Sequence, residues 1–492
     1  MINLTNSEHW LIEKSAQTPK QIAIFSDTEK LTFEQLTNAS IFAAKYLSKC
    51  GVKQGDNVGI LAEHNYRFWI LVNALWLIGA VPVSLNSRNT SKELVLQLQK
   101  VGANALINLT EEKHKYTFIG NLSFDDFDFT NTEPSQIDFQ HTAFSLALGG
   151  QAHHSSLIMF TSGSTGKPKA VVHTFKSLFE SVKAADAYFN LSDQDLWLAS
   201  LPLYHIGGFM ILVRSLVNGS SVVFPQSLKH NDIIECSYTY NPTHISFVST
   251  TLKRILENGQ RPNKNLKYVF LGGGLLSKEL CEAALQKGFP IVKVYGSTET
   301  GSMVCALKPE GFNNKAESVG KALTEEIKLL VSNGELLVSS PTLFKEYYKD
   351  EETTKQKLIN GFYHTGDLGR IDNDGYFYID SRHENIIITG GENVSANEVE
   401  MGLASLPGVT DSFVFGLPDE TWGEILCAAI VAQNLFEEEI KSVLRLKLAP
   451  FKIPKKFFFV KEIPRNEMGK VTRIGLKQML NLNEAEAGLE NP

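Results

Sequence analysis

The segment 161–169 places hydroxyl, glycine and lysine residues together directly after the apolar stretch 157–160. Its residues are Thr161, Ser162, Gly163, Ser164, Thr165, Gly166, Lys167, Pro168 and Lys169. Glycine lets a backbone approach an anion closely, and hydroxyl, amide and ammonium groups all donate hydrogen bonds to phosphate oxygens. This density of donors after a buried strand predicts a phosphate-binding loop, whereas a mobile surface turn is the ordinary alternative.

A P-loop nucleotide-binding site is the obvious competing interpretation. Its fingerprint has four residues between the two glycines and a serine or threonine directly after the lysine. Here two residues separate Gly163 from Gly166, and Pro168 follows Lys167. Spacing and chemistry therefore exclude the P-loop class.

Four further segments combine turn-forming residues with a carboxylate, a histidine or a lysine. They are residues 201–205 (Leu-Pro-Leu-Tyr-His), 295–299 (Tyr-Gly-Ser-Thr-Glu), 363–367 (Tyr-His-Thr-Gly-Asp) and 464–470 (Pro-Arg-Asn-Glu-Met-Gly-Lys). Carboxylate oxygens suit a hard cation that bridges phosphates, and they also accept hydrogen bonds from sugar hydroxyls. Taken alone, each segment would be an ordinary turn, and Lys470 would be one solvated lysine among many.

Together and in this order, the five segments resemble the motifs of the adenylate-forming superfamily, which contains the acyl-CoA synthetases, the luciferases and the adenylation domains of peptide synthetases. The resemblance runs over essentially the whole chain. It implies that a carboxylic acid and ATP give acyl-AMP and pyrophosphate, and that CoA then gives acyl-CoA and AMP. ATP, CoA and a small carboxylic acid are the implied substrates, and Mg²⁺ is the implied cofactor.

The resemblance implies which residues bind ATP and AMP. They are Thr161, Ser162, Gly163, Ser164, Thr165, Gly166, Lys167, Tyr295, Gly296, Ser297, Thr298, Asp367 and Arg382. Thr298 is implied to contact the α-phosphate, and Asp367 and Arg382 to contact the ribose hydroxyls. Ser381 stands directly before Arg382, where the family usually has glycine.

The same resemblance implies a catalytic set of Lys470, Thr298, Glu299 and His205. Glu299 is implied to help hold Mg²⁺, and His205 to gate the acid pocket. Lys470 is implied to stabilise the charge that develops as the carboxylate attacks the α-phosphate, which is an electrostatic form of catalysis.

A hinge and a CoA channel are also implied. Glu384 takes the hinge position, where relatives commonly have aspartate or lysine, so its role is inferred from position only. Residues 386–389, followed by Gly390 and Gly391, resemble the strand that lines the pantetheine channel. Glycines there let a thin tether pass close to the backbone. The smaller domain is implied to rotate about Glu384 between the two half-reactions.

The acid itself is predicted to lack an amine, because residues 205–210 contain no carboxylate that could pair with an ammonium group. The compact length disfavours a luciferase. The spacing of the motifs along the chain and the stretch 317–321 (Glu-Ser-Val-Gly-Lys) most resemble those of one group of acyl-CoA synthetases. The acid that this group activates has an aromatic ring and two carboxylates. The candidate pocket residues are His205, Thr250, Thr251, Gly272, Gly273 and Ser302.

Two alternatives stay open at this point. One is a medium-chain or aryl acyl-CoA synthetase with another substrate range. The other belongs to a different class, namely a non-catalytic nucleotide-binding scaffold that kept the fold. The chain retains five of the implied functional residues together, and a scaffold needs none of them. This retention argues against the scaffold; the residues are Thr298, Glu299, Asp367, Arg382 and Lys470.

The elements that must position these residues alternate between helices and strands. Residues 32–50 carry apolar side chains at helical spacing, which predicts a helix. Residues 57–61 are predicted to form a buried strand, and residues 68–83 a core helix followed by a strand. Residues 268–295 read as strand, glycine turn, helix and strand, which is a βαβ unit of a parallel or mixed sheet. The acidic aromatic stretch 124–129 reads as a solvated connection.

The predicted fold class is therefore α/β. A large N-terminal domain (1–381) with helix-covered mixed sheets binds ATP and the acid. A small, mobile α+β domain (382–492) carries Lys470 and the CoA channel. The boundary is placed where the composition shifts toward lysine and arginine, since residues 441–477 hold only Glu462 and Glu467 as acidic residues.

Composition excludes several other classes. With 43% hydrophobic residues and 30 Phe, the chain is not intrinsically disordered. A net charge of −7 argues against a dedicated nucleic-acid binder. The cysteines, Cys50, Cys236, Cys281, Cys305 and Cys427, form no CxxC pair and indicate reduced thiols in a cytoplasmic protein. No signal peptide or transmembrane segment is expected. The sequence leaves a homo-oligomer open.

Replacement of Lys470 by alanine tests the implied division of labour between the two half-reactions. We expect acid-dependent pyrophosphate release to fall by about 100-fold or more, because fixed positive charge at the reacting phosphate is lost. Conversion of supplied acyl-AMP to the thioester should persist, as measured by CoA-dependent AMP release. Equal loss of both half-reactions would contradict the two-conformation assignment.

Overall fold

The structure is a computed structural model. It describes residues 9–110, 121–122, 127, 129, 154–161, 168–273, 278–382, 386–432, 435–464, 473–480 and 482. The chain divides into two compact units. The first consists of Met1–Ser87, Gln97–Phe160 and Ala170–Ser381, and the second of Arg88–Leu96, Thr161–Lys169 and Arg382–Pro492.

The helices of the described residues are numbered here in chain order. They are α1 Trp10–Gln17, α2 Phe33–Lys49, α3 Arg67–Ile78, α4 Ser91–Lys100, α5 Phe175–Phe189, α6 Ile206–Asn218, α7 His230–Tyr240, α8 Ser249–Glu257, α9 Lys278–Gln286, α10 Phe312–Lys315, α11 Glu351–Lys357, α12 Ala396–Ala404, α13 Glu437–Arg445 and α14 Arg473–Met479.

The strands are numbered in the same way. They are β1 Ile22–Phe25, β2 Lys30–Thr32, β3 Asn57–Leu61, β4 Val81–Leu85, β5 Ala105–Asn108, β6 Asn121–Leu122, β7 Ser155–Thr161, β8 Lys169–Thr174, β9 Leu196–Leu198, β10 Ser221–Val223, β11 His244–Phe247, β12 Tyr268–Leu271, β13 Ile291–Ser297, β14 Ser302–Leu307, β15 Lys321–Ala322, β16 Lys328–Ser332, β17 Glu335–Ser339, β18 Glu346–Tyr347, β19 Leu358–Ile359, β20 Phe362–Ile371, β21 Phe377–Arg382, β22 Ile386–Thr389, β23 Glu392–Ser395, β24 Val409–Asp419, β25 Gly423–Ala432 and β26 Lys456–Phe459.

Two large sheets organise the first unit. The nine-stranded sheet has the order β15-β14-β13-β12-β11-β9-β10-β1-β2, and the seven-stranded sheet has the order β18-β8-β7-β4-β3-β5-β6. The predicted βαβ unit is confirmed, because β12 pairs in parallel with β13 and α9 connects them. Beyond β13 the pairing is antiparallel, both between β13 and β14 and between β14 and β15. Both sheets carry helices, as expected for an α/β fold.

The core of this unit is built around α3, which explains the apolar run 68–83. Residues 68–77 of the helix are all buried, and β4 follows it, so the predicted core helix and strand are confirmed. Trp76 meets the rings of Trp10 and Trp69 edge to face, at centroid distances of 5.8 and 5.4 Å. Its indole N–H donates to the Ser156 carbonyl at 2.7 Å, so the polar atom of this ring is satisfied within the core.

The expectation of a solvated connection at 124–129 is wrong for the two residues of that stretch which the structure describes. Phe129 is buried, and the Arg67 guanidinium lies 5.2 Å from its ring centroid. Phe127 packs against Phe42, with the ring centroids 5.1 Å apart. The alternating aspartates made the stretch look polar, but aromatic side chains bury enough area to dock such a segment on a core.

A third sheet in the first unit carries the 363–367 motif. It has the order β16-β17-β20-β19, and β21 also pairs with β20. An isolated bridge between Gly320 and Phe377 links the segment before β15 to β21. The Ser318 hydroxyl donates to the Phe377 carbonyl at 2.7 Å and reinforces that link.

The second unit contains one five-stranded sheet with the order β23-β22-β25-β24, in which β26 pairs in parallel with β25. Residues from α12 and α13 complete its core, among them Val399, Leu403 and Leu444. The mixed α/β class with a large and a small domain is thus confirmed. In the described part of the chain, no helix is long and apolar enough to cross a membrane.

Two glycines allow a matched test of the Gly320–Phe377 link. Gly320 has φ +96° and a Cβ there would overlap the Ala306 carbonyl oxygen, whereas Gly361 has φ +79° with nothing within 4 Å of such a Cβ. We expect Gly361→Ala to cost about 1 kcal/mol of unfolding free energy and Gly320→Ala about 3 kcal/mol, because backbone overlap adds to the strain. Urea unfolding measures both, and equal losses would contradict the tight packing at Gly320.

Candidate functional site

The predicted site residues of the first unit follow neighbouring strands of the nine-stranded sheet. β9, β11, β12 and β13 run parallel, so their carboxyl ends lie at one edge. Thr250 and Thr251 fall in the first turn of α8, directly after β11, and Gly272 and Gly273 follow β12. Ligands of such sheets bind beyond the carboxyl ends of the strands. The fold therefore collects candidate pocket residues at one edge, although nothing is described of the Thr250 side chain.

Residues 298–301 form a hairpin turn between β13 and β14 at the same edge, where Ser297 pairs with Ser302. Each backbone carbonyl of this turn accepts a hydrogen bond from a neighbouring element. The Thr298 carbonyl accepts from His173 Nε2 at 2.7 Å, and the Glu299 carbonyl accepts from the Phe344 amide at 2.8 Å. The Thr300 carbonyl accepts from Thr342 Oγ1 at 2.8 Å, and the Gly301 carbonyl accepts from Ser181 Oγ at 2.7 Å. The surrounding scaffold therefore fixes the orientation of the turn.

Gly296 is required by the close approach of the two strands at this turn. A Cβ at Gly296 would overlap the Ser302 carbonyl oxygen, so no other residue fits this backbone. The buried hydroxyl of the next residue, Ser297, has no hydrogen-bond partner among the described residues. A buried polar atom without a partner is costly, and a ligand at the turn would satisfy it.

Glu299 is nearly buried, with 8% of its surface exposed. The Tyr347 hydroxyl donates to its Oε1 at 2.9 Å. Tyr347 lies in a small cluster with Phe344 and Tyr363, and burial raises the pKa of Tyr363 well above its ordinary value, so that phenol stays neutral. The neutral phenol of Tyr347 therefore orients the Glu299 carboxylate without cancelling its charge.

A magnesium ion fits this arrangement. Among the described residues no group of three or more His, Cys, Asp or Glu side chains could form an all-protein metal cage. Mg²⁺ usually binds through one or two carboxylates together with phosphates and water, and Glu299 offers one such carboxylate with Oε2 outside the Tyr347 hydrogen bond.

Asp367 on β20 meets a residue of another motif. The Tyr295 hydroxyl donates to Asp367 Oδ2 at 2.7 Å, across 72 residues of sequence. On the same strand, the Gly366 amide donates to the Glu335 carboxylate at 2.9 Å. The structure thus brings together two of the residues predicted to bind the nucleotide.

His205 lies at the start of α6. It is the N-cap residue, and its side chain makes no capping hydrogen bond to the helix. Its ring lies edge to face against Tyr204, at a centroid distance of 4.8 Å. The helix begins close to the preceding loop, because a Cβ at Gly208 would overlap the Pro202 carbonyl oxygen.

Arg214 contacts a candidate pocket residue, Ser302, and the motifs did not reveal it. It lies on α6, is only 3% exposed, and its Nη2 donates to Ser302 Oγ at 3.2 Å. Its Nε has no hydrogen-bond partner in the part of the chain that the structure describes. Burial lowers the pKa of the guanidinium to about 9, so the group is cationic at neutral pH. The signal in the sequence was a single charged residue in the otherwise uncharged and mostly apolar stretch 209–217.

Several predicted residues have no described geometry. Ser162, Gly163, Ser164, Thr165, Gly166, Lys167, Glu384 and Lys470 lie outside the described residues. Thr161 ends β7 and Arg382 ends β21, but nothing is described of the Arg382 side chain. In the second unit, Gly390 and Gly391 form the turn between β22 and β23, with the Gly390 amide donating to the Trp422 carbonyl. The roles of all these residues stay predictions.

Comparison with known proteins defines the class first. A profile described as AMP-binding enzyme matches residues 11–348, and one described as AMP-binding enzyme C-terminal domain matches residues 398–470. The chain belongs to the AMP-binding enzyme family, as its five ordered motifs predicted.

Individual relatives are more specific. The 2-succinylbenzoate–CoA ligases of Bacillus cytotoxicus and Bacillus subtilis (strain 168) are each 33% identical to the chain over 485 residues, which cover 96% of it and 98% of each relative. The o-succinylbenzoate CoA synthetase of Bacillus subtilis, solved as a double mutant with the product analogue OSB-NCoA, gives a TM-score of 0.89 at 31% identity, covering 96% of this chain and 98% of that one. The same enzyme solved with ATP and a magnesium ion gives 0.71 at 32% identity, covering 95% and 99%.

Adjacent tyrosines provide a test of the Glu299 geometry. The Tyr347 hydroxyl contacts Glu299, whereas the hydroxyl of Tyr348 accepts from Asn57 Nδ2 at 3.0 Å. We expect Tyr347→Phe to weaken binding of Mg·ATP roughly tenfold, because a hydrogen bond to a charged carboxylate is lost.

Titration calorimetry with ATP at several Mg²⁺ concentrations measures this effect. Tyr348→Phe is the matched control and should leave the affinity within about twofold. An equal loss of Mg·ATP affinity in both variants would show that the two phenol groups act on the stability of the folded protein rather than on Glu299.

Proposed function

We propose that this chain is an ATP-dependent 2-succinylbenzoate–CoA ligase of menaquinone biosynthesis. In this proposal 2-succinylbenzoate and ATP give the acyl-adenylate and pyrophosphate, and CoA then gives the acyl-CoA and AMP. The names of the near full-length relatives support the substrate, and the solved complex of a relative with ATP and magnesium supports the nucleotide and the metal ion.

The buried Arg214 is the observation in this structure that favours this acid. A buried charge is costly unless it is paired, and the described partner of Arg214 is the neutral Ser302 hydroxyl. 2-Succinylbenzoate has two carboxylates, of which only one is adenylated. The second carboxylate remains an anion throughout the reaction and would pair with the guanidinium. Arginine suits this task because its planar fork matches a carboxylate.

The same observation weighs against the first alternative. A medium-chain acid ends in a neutral alkyl tail, which would leave the Arg214 charge buried and unpaired in the complex. A simple aryl acid without a second anionic group has the same defect. A second carboxylate at the far end of the acid is therefore the feature that Ser302 and Arg214 select.

The other residues of the first unit act on the nucleotide in this proposal. Thr298 donates to the α-phosphate, and the Asp367 carboxylate, oriented by Tyr295, accepts from the ribose hydroxyls. Glu299 holds Mg²⁺, which when bound neutralises phosphate charge. Residues 161–167, which belong to the second unit, are also assigned to the phosphates.

The second half-reaction is assigned to residues 382–492. Lys470 serves adenylation and is then withdrawn as this domain rotates about Glu384. Gly390 and Gly391 then admit the pantetheine arm of CoA. Rotation lets one site serve two reactions and protects the adenylate from water. This assignment is supported by the match of residues 398–470 to the C-terminal domain of AMP-binding enzymes.

Pyrophosphate release over a panel of carboxylic acids, with and without CoA, tests the proposed function. We expect 2-succinylbenzoate to support turnover in preference to benzoate, octanoate and 4-oxo-4-phenylbutanoate, which lacks the ring carboxylate. We further expect Arg214→Met to raise KM for 2-succinylbenzoate about 100-fold, because the second carboxylate loses its charged partner.

A matched control is Lys293→Met, which removes another buried cation of the same unit, one that already donates to the Ala316 carbonyl. It should leave KM for the acid within about threefold. Equal turnover of octanoate and 2-succinylbenzoate would refute the proposed substrate, and ATP binding without pyrophosphate release for any acid would favour the scaffold.

A further inference from the structure

His173 contacts the turn 298–301 from the interior of the first unit. This turn is called the nucleotide turn below, because the proposed function assigns Thr298 to the α-phosphate of ATP. It lies near the end of β8 and is fully buried. Its Nε2 lies 2.7 Å from the Thr298 carbonyl oxygen, 125 residues away in sequence. Its Nδ1 lies 3.0 Å from the Ser177 hydroxyl at the start of α5. Both ring nitrogens therefore have defined partners.

These contacts define the protonation state of the ring. A carbonyl oxygen only accepts hydrogen bonds, so Nε2 must carry the hydrogen that it donates to Thr298. Burial lowers the pKa of His173 to about 4, so the ring is neutral at pH 7. Nδ1 is then an acceptor that faces the Ser177 hydroxyl. The single ring hydrogen is thus directed at the turn.

The Thr298 carbonyl belongs to the peptide that joins Thr298 to Glu299. It also accepts from the Gly301 amide at 3.2 Å, which closes the turn on itself. Because a peptide is planar, a carbonyl held toward the interior directs the amide N–H of Glu299 to the opposite side. The contact with His173 therefore sets the orientation of both residues at once.

The other donors to the turn act elsewhere. Thr342 and Ser181 hold the Thr300 and Gly301 carbonyls, which lie after Glu299 on the return side of the turn. Only the peptide held by His173 lies between the residue assigned to the α-phosphate and the residue assigned to Mg²⁺. A small rotation of this peptide would move both groups relative to the phosphates.

We propose that His173 is a positioning residue for adenylation, which acts through the Thr298 carbonyl to hold Thr298 and Glu299 in the orientation that binds Mg·ATP. This inference rests on the proposed function, because that function assigns the two residues to the nucleotide and the metal ion. A merely structural histidine would contribute to folding without changing how tightly the folded protein binds the nucleotide.

Two substitutions at His173 separate these roles. Leucine removes the donor, whereas glutamine places an amide N–H near the position of Nε2. We expect His173→Leu to raise KM for ATP and the Kd for Mg·ATP about tenfold and to lower kcat for pyrophosphate release about tenfold, since small displacements at a reacting centre are costly. KM for CoA should stay within about twofold. His173→Gln should restore both ATP constants to within about threefold of the unmodified enzyme.

His244→Leu is the matched control. His244 is also a buried histidine, and it begins β11 in the sheet that carries the turn, at the opposite edge from the carboxyl ends of the strands. This variant should lower the thermal midpoint without changing the Kd for Mg·ATP. If His173→Leu fails to fold, His173→Asn replaces it, because the shorter amide of asparagine cannot reach Thr298. We then expect His173→Asn to lose the same affinity for Mg·ATP, relative to His173→Gln, as expected for His173→Leu.

Three results would overturn the inference. The first is an unchanged Kd for Mg·ATP in His173→Leu. The second is a loss of Mg·ATP affinity in His173→Gln as large as the loss in His173→Leu. The third is a loss of the same size in His244→Leu. Calorimetric Mg·ATP binding is measured independently of turnover. An unmodified enzyme that binds Mg·ATP but adenylates no acid would therefore refute the proposed function, while the binding comparison would still decide the role of His173.

Discussion

Buried backbone carbonyls must find donors, and this requirement shapes the nucleotide turn more than any other interaction. Residues 298–301 enter the interior of the first unit with their carbonyls inward, and a histidine, a serine, a threonine and one backbone amide satisfy them. An unsatisfied buried carbonyl would cost roughly 1–3 kcal/mol. The turn therefore has one low-energy orientation, and the hydroxyl of Ser297, directly before it, is buried without a partner among the described residues.

Charged groups at the site follow a second common rule. Glu299 and Asp367 are each held by a tyrosine hydroxyl, and Arg214 is held by the hydroxyl of Ser302. A neutral hydroxyl orients a charge without neutralising it, whereas a salt bridge would do both. In the proposed function the ligands of these three charges are a metal ion, a sugar and the second carboxylate of the acid. The desolvation cost of such charges is recovered when a partner of opposite charge binds.

The donors to the turn and the groups assigned to the second half-reaction belong to different compact units. The donors to the turn come from β8, α5 and the segment between β17 and β18, which pack on the large sheets. The groups assigned to the second half-reaction belong to the other compact unit, which has its own core. In the proposed function the first unit holds the nucleotide turn, and the second unit serves the step with CoA.

The sequence alone determined the local elements and the order of the motifs. Helix α3, the βαβ unit 268–295 and the five motif segments were predictable, because helical periodicity, strand length and glycine turns are encoded within a few neighbouring residues. The fold class and family followed from them. The alternating aspartates at 124–129 misled because local pattern does not show which side chains a distant core will accept.

Only the tertiary structure decided which side chains meet. His173 lies 125 residues from Thr298, Arg214 lies 88 from Ser302, and Tyr347 lies 48 from Glu299. These pairs depend on the register of strands and on how α6 packs against the strand that begins at Ser302, and no local pattern records either. In the sequence, Arg214 is a lone arginine within a largely apolar helix, and His173 is a lone histidine within a strand. Packing places the arginine at Ser302 and the histidine at the nucleotide turn.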